Sequence, residues 1–189
     1  MTDLLSSRQL FMVQIKHRII FPMLPDKDRY FMKKALEQAH QAGSKGEVPV
    51  GAVLVKDSMI IARAYNQSIC RCDPSGHAEI MALRKAGRKL KNYRLTGLTL
   101  YVTVEPCPMC LGAILQARIK RLVYGAADRK QGAIVSRLAI PLERANHRIE
   151  IQSGVLSDEC SQLISNFFQR RRQLKKKRKR KVENQKELK

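Results

Sequence analysis

The chain has 189 residues and a net charge of +21, from 37 Lys and Arg against 16 Asp and Glu. This length suits one domain with tails, and a hydrophobic fraction of 44% is enough for a core. No segment approaches the roughly 20 apolar residues of a membrane span, so we expect neither a transmembrane segment nor a membrane partner. Five cysteines, an odd number, do not predict a disulfide framework and fit a reducing, intracellular compartment.

Three regions differ in composition. Residues 1–25 are predicted to be an N-terminal extension, and basic residues interrupt its apolar run, so it is not a secretory signal. Residues 26–172 are predicted to form the folded domain, and residues 173–189 a basic tail. From Arg170 onward the last twenty residues contribute +10 to the net charge, and the other 169 still carry +11. The folded part is therefore itself basic, which favours a polyanionic partner such as nucleic acid.

The basic cluster at residues 175–181 has two interpretations. It resembles a nuclear-import signal, and it also fits an unstructured tail that attracts RNA. We favour the second interpretation, because long runs of like charge repel each other and usually stay solvated.

Apolar periodicity predicts alternating helices and strands from residue 26 onward. Helices are expected at residues 26–42, 77–90 and 107–118 and from residue 157 into the tail, with Asp26 or Asp28 capping the first and Ser75 the second. Strands are expected at residues 48–55, 59–64, 98–104, 121–126 and 148–151, the first two joined as a hairpin. This order predicts an α/β fold, a three-layer α/β/α sandwich with a central mixed sheet of about five strands.

Two short stretches thirty residues apart carry the chemistry: His77-Ala78-Glu79 and Pro106-Cys107-Pro108-Met109-Cys110. A catalytic zinc takes three protein ligands and leaves one position for water, and one imidazole with two thiolates suits that ion. We therefore predict that His77, Cys107 and Cys110 hold zinc. Zinc lowers the pKa of its bound water from about 15.7 to about 7. Glu79 is not needed as a ligand and is predicted to move protons to and from that water.

A structural zinc site is the alternative, because such a site has four protein ligands and Cys70, Cys72 or Cys160 could supply the fourth. The pattern His-x-Glu followed by Pro-Cys-x-x-Cys is the signature of the zinc nucleobase deaminases, which favours the catalytic interpretation. Both motifs are expected at helix N-termini, where they can face each other.

Longer stretches of the chain resemble the bacterial tRNA-specific adenosine deaminases, a branch of the zinc-dependent cytidine and deoxycytidylate deaminase superfamily. The resemblance covers roughly residues 28–172, with matching stretches at 47–53, 73–83, 92–95, 100–107, 146–151, 158–160 and 167–168. It implies a cytidine-deaminase-like fold, one Zn²⁺ per subunit, a homodimer, a tRNA anticodon stem-loop as partner and a cytoplasmic location. The implied reaction is hydrolytic deamination of adenosine to inosine at the wobble position of an arginine tRNA, with zinc-activated hydroxide and Glu79 as proton shuttle.

The resemblance also implies roles for single residues. It assigns zinc binding to His77, Cys107 and Cys110, and proton transfer to Glu79. The implied substrate contacts are Asn66 near the target nucleotide, Val50, Pro49 and Ala78 in the base site, Asp128 near the flanking nucleotide, and Phe168, Arg171 and Arg172 near the anticodon loop. Residue type alone would explain Asn66 as a turn residue, Val50 and Pro49 as strand core, Asp128 as a solvated loop acid and Phe168 as helix core.

The chain also departs from the family pattern. Ala127 stands where some relatives are expected to have a basic residue, and residues 134–143 follow no recognisable pattern. Two other function classes stay open. A deaminase of free cytidine or guanine would share the zinc motif and leave the charge of +21 unexplained. A non-catalytic RNA-binding subunit with a structural zinc would have no use for Glu79.

Overall fold

Helices and strands alternate along residues 27–187, the part of the chain that the computed structural model describes, with side chains through residue 179. The strands are β1 (Gly51–Lys56), β2 (Met59–Tyr65), β3 (Thr99–Val104), β4 (Arg121–Ala126) and β5 (Glu150–Gln152). The helices are α1 (Lys27–Ser44), α2 (Ala78–Leu90), α3 (Pro108–Gln116) and α4 (Ser157–Glu187), with a 3₁₀ turn at Leu142–Arg144. The predicted N-terminal extension and a cap at Asp26 lie outside the described residues.

The five strands form one mixed sheet in the order β2-β1-β3-β4-β5. Strand β1 runs antiparallel to β2 and β3, whereas β3, β4 and β5 run parallel. The β1–β2 hairpin turns at Asp57 and Ser58, whose φ angles are 47° and 63°, as in the tight turns that match the twist of paired strands. Parallel β3 and β4 need a crossover connection, which α3 supplies. The predicted hairpin and mixed sheet are confirmed.

Successive side chains of a strand point to opposite faces of the sheet, so each central strand feeds two apolar layers. Leu54 and Leu122 pack with α2 and α3 on one face. Their neighbours Val53 and Val123 pack with α1 and the start of α4 on the other. The predicted three-layer α/β/α sandwich is thereby confirmed. In the described part of the chain, no helix is both long and apolar enough to cross a bilayer.

The N-terminus of α2 is capped by a residue far away in the sequence. His77 occupies the N-cap position without a side-chain capping bond. The side-chain oxygen of Asn66, at the end of β2, instead accepts the Ala78 N–H at 2.8 Å. The predicted cap at Ser75 is wrong, because the Ser75 hydroxyl donates to Asp73. Helix α2 is thus fixed directly to the end of a sheet strand.

The basic tail is helical. Helix α4 continues without a break to Glu187, so the prediction of an unstructured tail is wrong. Lys, Arg and Gln have high helix propensity, and a helix that packing has already nucleated extends at little cost. The packed part of α4 supplies that nucleus, since Cys160 lies buried among the side chains of the second apolar layer.

The first turn of α1 is joined to the sheet by Asp28. Its two carboxylate oxygens accept hydrogen bonds from the Arg121 guanidinium at 2.7 and 2.8 Å, and the Tyr101 hydroxyl donates to it at 2.8 Å. The hydrogen bonds from Arg121 hold the pKa of Asp28 below its ordinary value, against the opposing effect of burial. A two-point contact of this kind fixes both distance and orientation.

We expect Asp28→Asn to lower the free energy of unfolding at neutral pH by about 1–3 kcal/mol. The folded-state pKa of Asp28 is lowered, so its contribution is present above the unfolded value of 3.8 and is lost as the pH falls through the lower folded value. The difference between wild type and variant should be constant above about pH 5 and shrink below about pH 4. Urea unfolding across this pH range measures the difference in the free energy of unfolding.

Glu150→Gln is the control, because it removes an exposed partner of the Arg121 guanidinium and should lower the free energy of unfolding by less than about 0.5 kcal/mol. An Asp28→Asn difference that persists undiminished at the acid end would contradict the expectation.

Candidate active site

The two sequence motifs meet because each lies at the N-terminus of a helix on the same face of the sheet. His77 is the N-cap residue of α2, and Cys107 is the N-cap residue of α3. Pro108 follows as the first helical residue of α3, a position that needs no N–H donor. Helices α2 and α3 share one apolar layer, so their positive ends lie close together. This arrangement favours thiolates and other anions between the two helix ends.

Three side chains converge on a point that can hold a metal ion. His77 Nδ1 lies 3.6 Å from Cys107 Sγ and 3.5 Å from Cys110 Sγ. Tetrahedral zinc with the usual bond lengths of about 2.3 Å to sulfur and 2.1 Å to nitrogen would place a nitrogen and a sulfur about 3.6 Å apart. The donor set and its spacing therefore fit zinc. Among the described residues, no further His, Cys, Asp or Glu joins the group.

The remaining cysteines do not complete a four-ligand structural site in the described part of the chain. Cys70 and Cys72 are exposed, and Cys160 is buried in the apolar layer on the opposite face of the sheet. Three protein ligands are the number found in catalytic zinc sites, where the fourth position is kept open. The geometry thus favours the catalytic interpretation over the structural one.

The two thiols are strongly coupled. The hydrogen bond from Cys110 lowers the pKa of Cys107 to about 4, and the same contact raises the pKa of Cys110. Cys107 also raises the pKa of His77 by accepting its hydrogen bond. The site therefore holds one thiolate readily, and binding a metal cation would release the second thiol proton.

Glu79 lies in the first turn of α2, only 4% exposed, and contributes to the same cavity as His77 and Cys107. Burial raises the pKa of its carboxyl to about 7. A carboxyl group that is easily protonated and deprotonated near neutral pH suits proton transfer. The Glu79 carboxyl is also hydrogen-bonded to Cys110, so it lies beside the three candidate metal ligands and is not one of them.

A cavity of about 530 Å³ extends from this group to the surface. Four of the eight predicted substrate contacts line it: Val50, Asn66, Asp128 and Phe168. Asn66 uses its side-chain oxygen on Ala78, which leaves the amide nitrogen as a donor. Phe168 reaches the cavity from α4, and the Lys130 ammonium lies 5.5 Å from the centroid of its ring. The other lining residues are Val48, His77, Glu79, Val104, Glu105, Cys107, Ala127, Arg129, Lys130, Gln131 and Ile164.

The other four predicted contacts lie outside the lining of this cavity. Pro49 and Arg171 line a second groove of about 680 Å³, between the end of α1 and α4. Ala78 is fully buried and holds Asn66 through its backbone. Arg172 is exposed on α4. The roles predicted for these residues stay predictions.

Buried acids that the sequence analysis missed organise the loops around the cavity. Glu105 is 2% exposed, and its Oε1 accepts the N–H groups of Ile134, Val135 and Ser136 at 3.0, 2.7 and 3.0 Å. Its Oε2 accepts the Asp128 N–H at 3.2 Å. Glu105 thus binds both ends of the loop at residues 127–136, part of which forms the cavity wall. Its position beside the Cys107 motif was the one signal in the sequence.

Glu47 plays a similar part for the loop that leads to His77. Its carboxylate accepts the N–H groups of Ile69 and Cys70 at 3.1 and 2.8 Å, and Glu47 is 2% exposed. These backbone hydrogen bonds lower the pKa of Glu47, although burial alone would raise it. The acid is therefore ionised and holds the loop at residues 67–76 in place.

Two cations at the cavity were also missed. Arg129 and Lys130 are exposed and line it, just after β4. Ala127 stands where some relatives are expected to have a basic residue, yet positive charge lies two and three positions further on. Consecutive basic residues in a loop after a buried strand were the available signal. Arg129 and Lys130 thus give the cavity two exposed cations that suit contacts to phosphate groups.

The fold and the site define a deaminase. The model of the MafB19-like deaminase family matches residues 25–172, which is most of the chain. A structure of a guanine deaminase from Nitrosomonas europaea has a TM-score of 0.64 at 24% identity, and the match covers 83% of this chain and 91% of that one. At that identity the similarity shows the fold alone.

More similar relatives narrow the class. The tRNA-specific adenosine deaminase of Haemophilus influenzae is 55% identical over 151 residues, which cover 79% of this chain and 87% of that protein. The enzyme of the same name from Bacillus subtilis is 45% identical over 153 residues, which cover 80% of this chain and 93% of that protein. A further match is a structure solved in work on A-to-I editing by tRNA:A34 deaminases at the wobble position of transfer RNA. It has a TM-score of 0.69 at 44% identity, and the match covers 71% of this chain and 98% of that one. The chain therefore belongs to the family of the bacterial tRNA-specific adenosine deaminases, as its motifs predicted.

Proposed function

We propose that this protein deaminates adenosine to inosine at the wobble position of a tRNA anticodon, with an arginine tRNA as substrate. The observation that carries the proposal is the convergence of His77, Cys107 and Cys110 with buried Glu79 at one cavity, which Arg129 and Lys130 also line. The names of the curated relatives support adenosine in tRNA as the substrate. A net charge of +21 fits a polyanion and has no use in binding a free base.

Within this proposal, His77, Cys107 and Cys110 hold one zinc ion per subunit. Zinc supplies the Lewis acidity that makes water reactive at neutral pH. The Glu79 carboxylate takes one proton from the attacking water and delivers it to N1 of the purine. It then takes the proton of the new C6 hydroxyl and delivers it to the leaving amine. Water adds at C6 and ammonia leaves, so adenosine and water give inosine and ammonia.

The cavity residues position the nucleotide in this proposal. A base in a single-stranded loop is cheap to extrude, which suits an anticodon. The Asn66 amide donates to the base or sugar, and Val50 forms part of the apolar wall. Asp128 Oδ1 accepts the N–H groups of Lys130 and Gln131, which leaves its other oxygen for a ribose hydroxyl. Phe168 offers a ring on which a splayed base can stack.

Inosine formation tests the function directly. The purified zinc protein is given an anticodon stem-loop with adenosine at the wobble position and, separately, free adenosine, cytidine and guanine. We expect inosine in the stem-loop and no turnover of the free compounds. Turnover of a free base or nucleoside alone would overturn the proposal in favour of a small-molecule deaminase. Tight RNA binding without turnover of any substrate would favour a non-catalytic subunit.

Metal content provides a separate prediction. We expect the purified protein to hold close to one zinc per chain and Cys110→Ser to lose most of it, because a hydroxyl is a far weaker zinc ligand than a thiolate. Cys160→Ser is the matched control, since Cys160 is also buried but lies on the other face of the sheet. Elemental analysis after dialysis measures both. Full zinc in Cys110→Ser, or equal losses in the two variants, would contradict the assignment.

We further propose that the protein acts in the cytoplasm as a homodimer, with the deaminase domain at residues 26–172 between the extension at 1–25 and the tail at 173–189. The family resemblance supports the dimer. So do Tyr93 and Met109, which are 71% and 40% exposed beside a groove of about 770 Å³ between α2 and α3. A light-scattering mass of a single 21.6 kDa chain at micromolar concentration would remove the dimer from the proposal.

A further inference from the structure

Helix α4 continues past the domain that the family model matches. The match ends at residue 172, whereas α4 runs to Glu187. We call residues 173–187 the basic extension; at 1.5 Å per residue it is about 22 Å long. Its described side chains, at residues 173–179, are all exposed. Residues 173–179 therefore project from the sandwich and do not contribute to its core.

The first nine residues of the basic extension are densely positive. Lys or Arg fills seven consecutive positions, 175–181, which is nearly two helical turns. No Asp or Glu occurs between Glu159 and Glu183. The apolar residues of the extension are Leu174 and Val182, and two residues do not form the apolar stripe of a membrane-surface helix. The extension therefore suits a partner that presents many negative charges, and it does not suit a partner with an apolar surface.

The basic extension begins close to the cavity. Ile164 and Phe168 of the same helix line that cavity. Residue 175 follows Phe168 by seven positions, about 10 Å along the helix axis. Arg170 and Arg171, which lie between, line the second groove. A polynucleotide with one nucleotide in the cavity therefore has its neighbouring phosphates near a continuous line of cations.

We infer that the basic extension binds the phosphate backbone of the RNA that flanks the nucleotide held in the cavity, an inference that rests on the proposed function. Like charges three and four positions apart on a helix repel each other, and phosphates relieve this repulsion. Contacts to phosphates carry no sequence information, so the extension adds affinity and leaves the choice of the reacting base to the cavity. The chemical step does not depend on it.

The test replaces Lys175, Lys176, Lys177, Arg178 and Lys179 by Gln, which keeps helix propensity while removing charge. The dissociation constant for a full-length tRNA is measured over a range of salt concentrations, and kcat is measured at saturating tRNA. We expect the slope of log K against log salt to become shallower by about 3–4, the affinity at low salt to fall about 100-fold, and kcat to change less than about twofold. A truncation after residue 172 should behave in the same way.

Three further outcomes are decisive. An unchanged salt slope in both variants would overturn the inference. Binding of wild type to phosphatidylserine vesicles but not to phosphatidylcholine vesicles, lost in the Gln variant while tRNA affinity is unchanged, would overturn it in favour of an anionic membrane surface. If wild type makes no inosine in any tRNA while the Gln variant still loses tRNA affinity, the proposed function fails and the phosphate contact by the extension stands.

Discussion

Replacing Glu79 by glutamine is expected to lower kcat for inosine formation by about 10²–10⁴-fold, the usual contribution of a positioned acid–base group. Glutamine has nearly the same shape as glutamate and cannot transfer the protons. Glu79 is 4% exposed and lies outside the ligand group of His77, Cys107 and Cys110, so zinc content and tRNA affinity should stay at wild-type levels. Single-turnover kinetics on the anticodon stem-loop, together with elemental analysis and a binding titration, measure these three quantities.

The same measurements on two other variants complete the test of Glu79. Glu79→Ala should also retain zinc and RNA binding and lose turnover. Glu159→Gln changes an exposed acid of α4 and should leave kcat, zinc and affinity unchanged. Near-normal turnover in Glu79→Gln would remove the proton-transfer role. A large loss of zinc in that variant would instead make Glu79 part of the metal site.

The convergence of His77, Cys107 and Cys110 could be predicted from the sequence because zinc chemistry dictates residue types at short spacing. Two thiolates separated by two residues at a helix start can reach one ion, and the imidazole needs the same position on a neighbouring helix. The structure places all three donors together as predicted. The central strands could be predicted equally well from their apolar residues, since each of β1, β3 and β4 supplies side chains to two buried layers.

Local rules failed where a distant residue decides the outcome. Ser75 has the right type and position for a cap, yet Asn66, twelve residues before Ala78, takes the free N–H. The tail has the charge run of a disordered segment, yet it continues a helix that packing around Cys160 has nucleated. In both cases the competing contact is tertiary, and no window of neighbouring residues contains it.

The role of Glu105 could not be predicted from the sequence for the same reason. Its four N–H donors lie 23 to 31 positions further along the chain, and three of them belong to the stretch 134–143, which follows no recognisable pattern. Glu105 is a positioning residue in this structure, because it holds the loop that carries Arg129 and Lys130 to the cavity. Although burial raises the pKa of its carboxyl, hydrogen bonds from Ser136 and the loop backbone lower that pKa below its ordinary value.

Glu105→Gln is expected to raise KM for tRNA at least about tenfold and to lower kcat by less than about threefold, with a loss of stability of about 1–3 kcal/mol. A carboxamide keeps one acceptor oxygen and turns N–H groups toward backbone N–H donors, so one side of the loop at residues 127–136 loses its partner. A loop that is less firmly held presents its cations and Asp128 less well, while the metal ligands are unaffected. Steady-state kinetics on full-length tRNA measures the division between KM and kcat.

Limited trypsin digestion supplies a readout of Glu105→Gln that a general loss of stability would not produce. Arg129 and Lys130 are the trypsin sites nearest the loosened end of the loop, so Glu105→Gln should be cut there faster than wild type under native conditions. Glu143→Gln alters an exposed acid just beyond the same loop and should match wild type in cleavage and KM. If Glu105→Gln unfolds more easily but keeps the wild-type KM and cleavage pattern, the carboxylate contributes to stability alone, and the cavity wall is held by other contacts.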